Sequence, residues 1–472
     1  MGLMNADAFR ASLRDGRTVY YRGRRVPDVT AEPDLNLGVE HAALDYDMAH
    51  DPAYRDVAVA KDRESGNEIS AYYQIPRSAD DLLARSRLIE IGTQRGGTIP
   101  PLIKEIGTDA LFALQRVLEG EGLERARAFY RHCRDGDLAV AVAQTDVKGD
   151  RSLAPHAQAD PDLYLHIVGR DQNGIVVRGA KAHTSASANS HEVIVLPTRA
   201  MGPEDADYAV SFAVPIATKG LSLYVSSFSG GDHNSLEFPL SSKSRMLESI
   251  TVFDDVFVPW ERVFLCGEPG LAAPLALTFV EYHRFTAVSY KLPLIDAFVG
   301  ASASIAEMNG VAKAGHIRDK LAALITYAET VRALIEMAAL RARIGQHGIA
   351  YPDPMTVNMA KFTFATRFHS MVALVQECAG GLLVTAPGAE DWEAPEVRRV
   401  LEKYLRGKVP AEERLRMMHL ISDITVRDFA GYHAVLAIHA EGSVEAEKLQ
   451  ILRSYDPRKA LSLARKFAGL DR

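Results

Sequence analysis

A mainly α-helical chain built around a central β domain is the fold class that three observations predict. Apolar residues recur at helical spacing through residues 1 to about 140. Short β-type runs separated by Gly, Asn, Asp and Pro turns fill about 140 to 265. Long helical patterns return from about 270 to the end. The expected organisation is a helical domain over 1–140, a small antiparallel β barrel or sandwich over 141–270, and a four-helix bundle over 271–472. A length of 472 residues exceeds what one small core fills and suits two or three domains in close contact.

Taken in order, Arg17 to Val26 reads as a short hairpin. Ser78 is placed to cap a helix whose first turn carries Asp80 and Asp81, both suited to the positive helix end. A second helical pattern runs from Asp109 to Arg134. The β-type runs begin near Ala139, Tyr164, Ile175, Val193 and Ala209, and the stretch from Glu248 to Phe257 closes them. Helical patterns then span Leu275–Met308, Lys313–Ile344, Met355–Gly380 and Glu412–Ala440, with a break at Gly380, Gly381 and Pro387.

Bulk composition narrows the function. Hydrophobic residues make up 47% and charged residues 24%, as in ordinary globular proteins. A net charge of −7 argues against nucleic acid as a partner, which demands a basic face. Cys133, Cys266 and Cys378 have no CxxC spacing, which fits a reducing cytoplasm without a disulfide framework. The first residues lack the pattern of a signal peptide, and no apolar run is long enough to span a bilayer. No G-x-G-x-x-G follows a strand, so a Rossmann nucleotide site is not expected.

The densest functional signal is RGAKAHTSASANSHE, residues 178–192. Small and hydroxylated residues between two strands let backbone amides and hydroxyls approach a flat polar ligand; the alternative is a Ser/Ala-rich surface turn. Upstream lie QTDVKGDR (144–151) and QADPDLY (158–164); downstream lie VFDDVFVPW (252–260), YHR (282–284) and AGGLLVTAP (379–387). In this order the segments resemble the flavoprotein family that contains 4-hydroxyphenylacetate 3-hydroxylase and 4-hydroxybutyryl-CoA dehydratase. The loop 178–192 and VFDDVFVP are more similar to the dehydratase branch.

The resemblance implies an acyl-CoA dehydrogenase-like fold that binds FAD. The cofactor set it implies is Thr145, Lys148, Arg151, Lys181, His183, Thr184 and Ser185, with a Gly380–Gly381 turn that often reaches a neighbouring subunit's dinucleotide. Without the resemblance, Lys148 and Arg151 read as a solvated charge cluster with Asp146 and Asp150. His283 matches a histidine beside the flavin, in a position that ligates a [4Fe–4S] cluster in the dehydratase. The three cysteine ligands of that cluster fall on Pro101, Glu105 and Tyr290, so no cluster and no metal are expected. His283 is then a candidate general acid/base, its alternative being a satisfied helix histidine. Glu248 matches an active-site carboxylate; it abstracts a proton if buried, or forms a salt bridge at a strand start. Tyr290 either hydrogen-bonds substrate or fills the cluster's volume, and Lys291 matches a further site position. Gly97–Glu105, where the hydroxylase carries a substrate-binding Arg and Tyr, contains neither.

The resulting expectation is a two-component, FAD-dependent monooxygenase. It takes reduced FAD from a separate reductase and uses O2 on a small organic substrate, as a cytoplasmic homotetramer. The alternatives are a cluster-free dehydratase or isomerase acting on an acyl thioester, and a non-catalytic flavin-binding protein. Leu102, Tyr290 and Phe285 are expected to shape the substrate pocket.

Overall fold

The fold was obtained as a computed structural model, which describes residues 2–470 apart from 229 and 232. Helix α1 (Ala6–Ser12) is capped by Asn5, whose side chain accepts from the Ala8 amide. The expected hairpin follows as β1 (Val19–Tyr21) and β2 (Arg24–Val26), closed by Arg22 and Gly23 with φ of 48° and 76°. Two consecutive positive φ angles match the twist of the flanking strands. Then come α2 (Pro33–Met48), α3 (Arg55–Ala58), and a hairpin of β3 (Val59–Lys61) and β4 (Glu68–Ser70). Helix α4 (Ala79–Gly96) begins as the sequence predicts, with Ser78 accepting from the Asp81 amide.

The single helix expected over Asp109–Arg134 is two helices, α5 (Glu105–Val117) and α6 (Gly120–Asp135). Leu118 and Glu119 are extended, with ψ of 153° and 169°. Burial of Leu118 turns the chain at a point where helical periodicity gives no warning.

The β region holds β5 (Val140–Ala143), β6 (His166–Arg170), β7 (Gly174–Lys181), β8 (Glu192–Val195), β9 (Val210–Pro215), β10 (Leu221–Val225), β11 (Ser249–Pro259) and β12 (Val263–Cys266). Among the described residues these strands form two open sheets and no closed barrel, in the orders β2-β1-β10-β11-β7-β6 and β12-β9-β8-β5. Nor are they wholly antiparallel: β1 runs parallel to β10 and β5 parallel to β8. Both parallel pairs join strands far apart in sequence, through crossovers that turn residues do not reveal. Phe212 of β9 meets Phe253 of β11 edge-on at 5.8 Å, so the sheets pack face to face. The other face of the four-stranded sheet lies under the helices, where Val140, Val142 and Ile194 join Leu111, Phe112 and Phe129 in one cluster. A sheet covered on both sides explains why β5 and β8 are buried at every residue.

The C-terminal part opens with α7 (Pro269–Met308) and α8 (Gly315–Leu340). A short β13 (Arg343–Ile344) and β14 (Ala350–Tyr351) lead to α9 (Pro354–Ala379). Short helices α10 (Leu382–Thr385), α11 (Ala389–Glu393) and α12 (Pro395–Tyr404) follow. The helix expected over Glu412–Ala440 is split into α13 (Ala411–Thr425) and α14 (Asp428–His439), because Arg427 is extended. Finally come α15 (Val444–Ser454) and α16 (Arg458–Phe467). Helices α7, α8, α9 and α13 share a core around Phe298, Val331, Phe364 and Ile421. In α7, every residue from Tyr282 to Ile295 is buried, since the bundle covers one side and α4 and α5 the other. No described helix is long and apolar enough to cross a membrane.

Gly107 is where α5 meets β5: a Cβ there would lie 2.5 Å from Val140 Cβ and 2.6 Å from its carbonyl oxygen. Gly107→Ala is expected to destabilise the fold by roughly 1–3 kcal/mol. Gly315→Ala, with open space around it, is expected to be neutral or slightly stabilising. Denaturant unfolding of both variants checks this; equal stabilities would show that α5 does not rest on β5.

Candidate active site

Two strands of chain are stitched together to make one half of the site. The loop after β7 bends through the left-handed residues His183 (φ 57°) and Ala186 (φ 56°). The Thr184 amide donates to Ser249 O at 3.0 Å and the Ala186 amide to Leu247 O at 2.8 Å. Ser185 is thereby set against Glu248, and its hydroxyl lies 3.0 and 2.9 Å from the two carboxylate oxygens. Tyr432 of α14 donates to the same carboxylate at 2.9 Å. Burial pushes the Glu248 carboxyl up, while Ser185, Tyr432 and the nearby His183 hold it back. Glu248 therefore faces hydroxyls, and it makes no ion pair among the described residues.

The cofactor candidates on these loops divide. Lys181 is buried with its ammonium held by Asp146 at 2.8 Å and by the carbonyls of Gln144 and Leu196, each at 3.0 Å. All its donors are engaged within the protein, so it shapes the loop and leaves only main chain for a ligand. Thr184 is likewise buried, its hydroxyl accepting from Thr251 at 2.9 Å. His183 is exposed and Ser185 half-buried. Thr145 sits alongside, its carbonyl accepting from the Ala182 amide at 2.8 Å. Asp146 faces Lys181 and Asp150 accepts from Ser152, so among the described residues Lys148 and Arg151 make no ion pair with either aspartate, although Asp146 is near enough to Lys148 to act on its charge.

The other half of the site is the middle of α7. His283 Nδ1 lies 3.4 Å from Asp109 Oδ2, and the ring stacks on Phe279 with centroids 5.2 Å apart. Asp109 is fully buried and fixed by Arg85 at 2.7 Å and Thr286 at 2.9 Å. Among the described residues His283 Nε2 makes no hydrogen bond. About two turns further on, Tyr290 donates to one oxygen of Glu441, and Lys291 lies 2.8 Å from the other. Lys361 of α9 stands 3.7 Å from that second oxygen. Burial alone would raise the Glu441 carboxyl, but Lys291 and Lys361 bring it down to about 2. Burial lowers the Lys291 ammonium to about 8 against the pull of Glu441. Both are therefore ionised at neutral pH.

Glu441, Tyr432 and Asp109 are missed by sequence reasoning. Glu441 occupies the turn between α14 and α15 at φ 59°, in the segment His439-Ala-Glu-Gly-Ser443 that reads as an ordinary polar turn. Of the other positions, Glu105 is buried and turned back on its own helix start, accepting from the amides of Leu102 and Lys104 at 3.3 and 3.1 Å. Tyr290 and Lys291 line a cavity of about 10 Å³ with Thr98, Pro100, Phe364 and His433, room for one water. Leu102 is buried at φ 53°, whereas Phe285 packs into the bundle core and does not line that cavity. Gly380 and Gly381 lie exposed at the end of α9, and a Cβ on either would meet nothing. No group of three or more His, Cys, Asp or Glu suited to a metal occurs among the described residues.

Helices before and after a two-sheet core, joined by one long buried helix, define an acyl-CoA dehydrogenase-like architecture. Butyryl-CoA dehydrogenase from Megasphaera elsdenii shares it with a TM-score of 0.50 at 14% identity over 96% of this chain and 98% of that one, a likeness of fold alone. Within that class the chain belongs to the 4-hydroxyphenylacetate 3-hydroxylase family, whose N-terminal model matches residues 5–265 and whose C-terminal model matches residues 272–469. It is 32% identical to the 4-hydroxybutyryl-CoA dehydratase/vinylacetyl-CoA-Δ-isomerase of Clostridium aminobutyricum, over 99% of this chain and all of that protein. An oxygen-tolerant archaeal 4-hydroxybutyryl-CoA dehydratase from N. maritimus superposes with a TM-score of 0.92 at 29% identity, covering 100% of this chain and 96% of that one. The FAD-complexed oxygenase component of 4-hydroxyphenylacetate 3-monooxygenase superposes with a TM-score of 0.90 at 28% identity, covering 98% of each chain.

The Lys291–Glu441 pair ties the C-terminal turn to α7. Glu441→Gln leaves Lys291 without its anion and is expected to cost about 3–5 kcal/mol. The same carboxylate, depressed from 4.5 to about 2, contributes stability that is present above pH 4.5 and lost as the pH falls through about 2. Urea unfolding at a series of pH values checks both; a variant as stable as the wild type would show that the pair does not anchor the turn.

Proposed function

We propose that this protein is the oxygenase component of a two-component, FAD-dependent monooxygenase, oxidising a small organic substrate with reduced FAD delivered by a separate reductase. The observation that carries the reading is His283: Asp109 holds one ring nitrogen, and the other is open beside the Tyr290–Lys291–Glu441 network. A ring oriented on one side and free on the other is what proton transfer at a reacting atom requires.

The residues present fit a flavin. Ser185 offers a hydroxyl, His183 and its loop offer main-chain groups, and Lys148 and Arg151 offer cationic charge with no internal partner. In its reduced form FAD supplies the electrons that activate O2. Glu248, kept in a raised carboxyl state by burial, takes or returns a proton from its place between Ser185 and Tyr432. Tyr290 and Lys291 are held by Glu441 to orient a polar end of the substrate. At the positions where the resemblance puts the dehydratase's thiolates, Glu105 and Tyr290 already have internal hydrogen-bond partners; that supports chemistry without a cluster. Gly380 and Gly381, exposed at the end of α9, suit a contact to the cofactor of a neighbouring copy in a homotetramer. Scattered cysteines and dependence on a reductase suit the cytoplasm.

The dehydratase likeness and the buried, hydroxyl-bonded Glu248 favour a second reading, a cluster-free lyase or isomerase acting on an acyl thioester. Mixing the protein anaerobically with reduced FAD and then pulsing O2 separates the two. An oxygen-dependent absorbance transient, accelerated by substrate, is expected for the monooxygenase; turnover of a thioester with no oxygen consumed would replace it with the second reading.

His283→Ala is expected to keep FAD binding and assembly while losing turnover by roughly 100-fold to 10,000-fold. Wild-type turnover in a folded variant would remove His283 from the chemistry. Protein purified without oxygen is expected to lack stoichiometric iron and acid-labile sulfide, and a cluster in every chain would overturn the cluster-free assignment.

A further inference from the structure

Helix α15 turns a glutamate, Glu447, into the interior, where a helix lying on a core normally places an apolar side chain. The side chain is fully buried, and among the described residues neither carboxylate oxygen makes a hydrogen bond. Burial of a carboxylate is unfavourable unless it serves an ion pair. Its partner is Lys361 of α9, also fully buried, whose ammonium lies 3.5 Å from Glu447 Oε1. Lys361 donates to the Ala437 carbonyl at 2.8 Å and stands 3.7 Å from Glu441 Oε2. That oxygen is the one Lys291 holds at 2.8 Å. One carboxylate oxygen therefore lies between two ammonium groups, and one ammonium group between two carboxylates.

The surrounding charges are Arg284, Lys291 and Lys361 against Glu441 and Glu447, with Tyr290 on the second oxygen of Glu441. Arg284 is committed elsewhere: it donates to the Glu441 carbonyl at 3.0 Å and to the Asn358 side chain. Burial raises the Glu447 carboxyl, while Lys361 and Arg284 hold it back. The turn before α15 fixes both glutamates relative to each other. Gly442 has φ 105°, a Cβ on it would lie 2.6 Å from Arg284 Nη2, and the Ser443 side chain caps α15 through the Ala446 amide at 3.3 Å. Glu441 and Glu447 thus approach α7 and α9 as one piece.

We propose that Glu447 is a positioning residue: by drawing Lys361 to itself it leaves Glu441 to Lys291, and so fixes Lys291 and Tyr290 beside the cavity they line. With Glu447 neutral, Lys361 has Glu441 as its remaining anion and closes on the oxygen that Lys291 uses. Two ammonium groups on one oxygen repel each other, and Lys291 loses its hold. The bearing on substrate rests on the role proposed above for Lys291 and Tyr290; the positioning itself does not.

Competitive labelling of the full-length protein with acetic anhydride over a pH series tests this, read at Lys291 by mass spectrometry with the exposed Lys459 as internal control. Only the neutral amine reacts, so label uptake reports where Lys291 loses its proton. Burial lowers that point to about 8; Glu441 and Glu447 raise it, and Lys361 lowers it further. Glu447→Gln is expected to move the labelling of Lys291 to lower pH by roughly 0.5–1. Lys361→Met is expected to move it to higher pH, and Glu447→Gln to add nothing in the Lys361→Met background. Mere loosening of the interior would relieve the burial and move Lys291 upward, toward 10.5, in every variant. No movement or an upward one in Glu447→Gln, or the same downward movement in the Lys361→Met background, overturns the proposal. If Glu447→Gln does not fold, Lys361→Met decides alone: labelling that stays at the wild-type pH overturns it as well. Turnover measured alongside keeps the two readings apart. The expected movements with unchanged turnover would retain the positioning by Glu447 and remove Lys291 from the handling of substrate.

Discussion

The structure depends on how the middle of α7 is buried. From Tyr282 to Ile295 every residue is buried, yet His283, Arg284, Tyr290 and Lys291 lie in that stretch. An uncompensated charge at such depth costs several kcal/mol, so each group must find a partner from another element. Asp109 comes from α5, Asn358 from α9, and Glu441 from the turn before α15. The Glu441 main chain also accepts from Arg284 at 3.0 Å. The N-terminal helices, the bundle and the C-terminal turn are thus held in register by a single polar row.

The same logic separates the two halves of the site. On the α7 side, charges pair with charges in the interior. On the β side, Glu248 is surrounded by the hydroxyls of Ser185 and Tyr432, which support a carboxyl in either protonation state. An ion pair in that place would have held it ionised. The α7 side thus presents fixed charges, and the β side a carboxyl whose proton is exchangeable.

How much of this was legible in the sequence depends on the range of the interaction. Ser78, Arg22 and Gly23 act within a few residues of themselves, and the cap and hairpin appear where the sequence puts them. The helix break at Leu118 is followed by Gly120 (φ 56°) and Gly122, a local signal that apolar periodicity alone passes over, whereas Arg427, half-buried between the exposed Val426 and Asp428, has no Gly or Pro beside it to mark the break. The parallel pairs β1–β10 and β5–β8 were hidden because nothing local records a crossover. Ser185 and Glu248 emerged as candidates through family resemblance. Their mutual contact, and the partnership of Tyr290 and Lys291 with a glutamate 150 residues away, are products of the fold alone. Lys181 shows the converse: a lysine in a ligand loop looks like a ligand group until its three internal partners are seen.

The walls of the cavity beside Tyr290 and Lys291 mix the charge-bearing side chains with Leu294, Phe364 and Leu436, which take no part in the ion pairs. Shortening one of these apolar side chains enlarges the space without removing a charged partner. The volume of this cavity can therefore change while the ion pairs of the polar row of α7 stay constant. Leu294 and Phe364 belong at the same time to the bundle core, so the packing that holds the helices together also sets the walls of this small cavity.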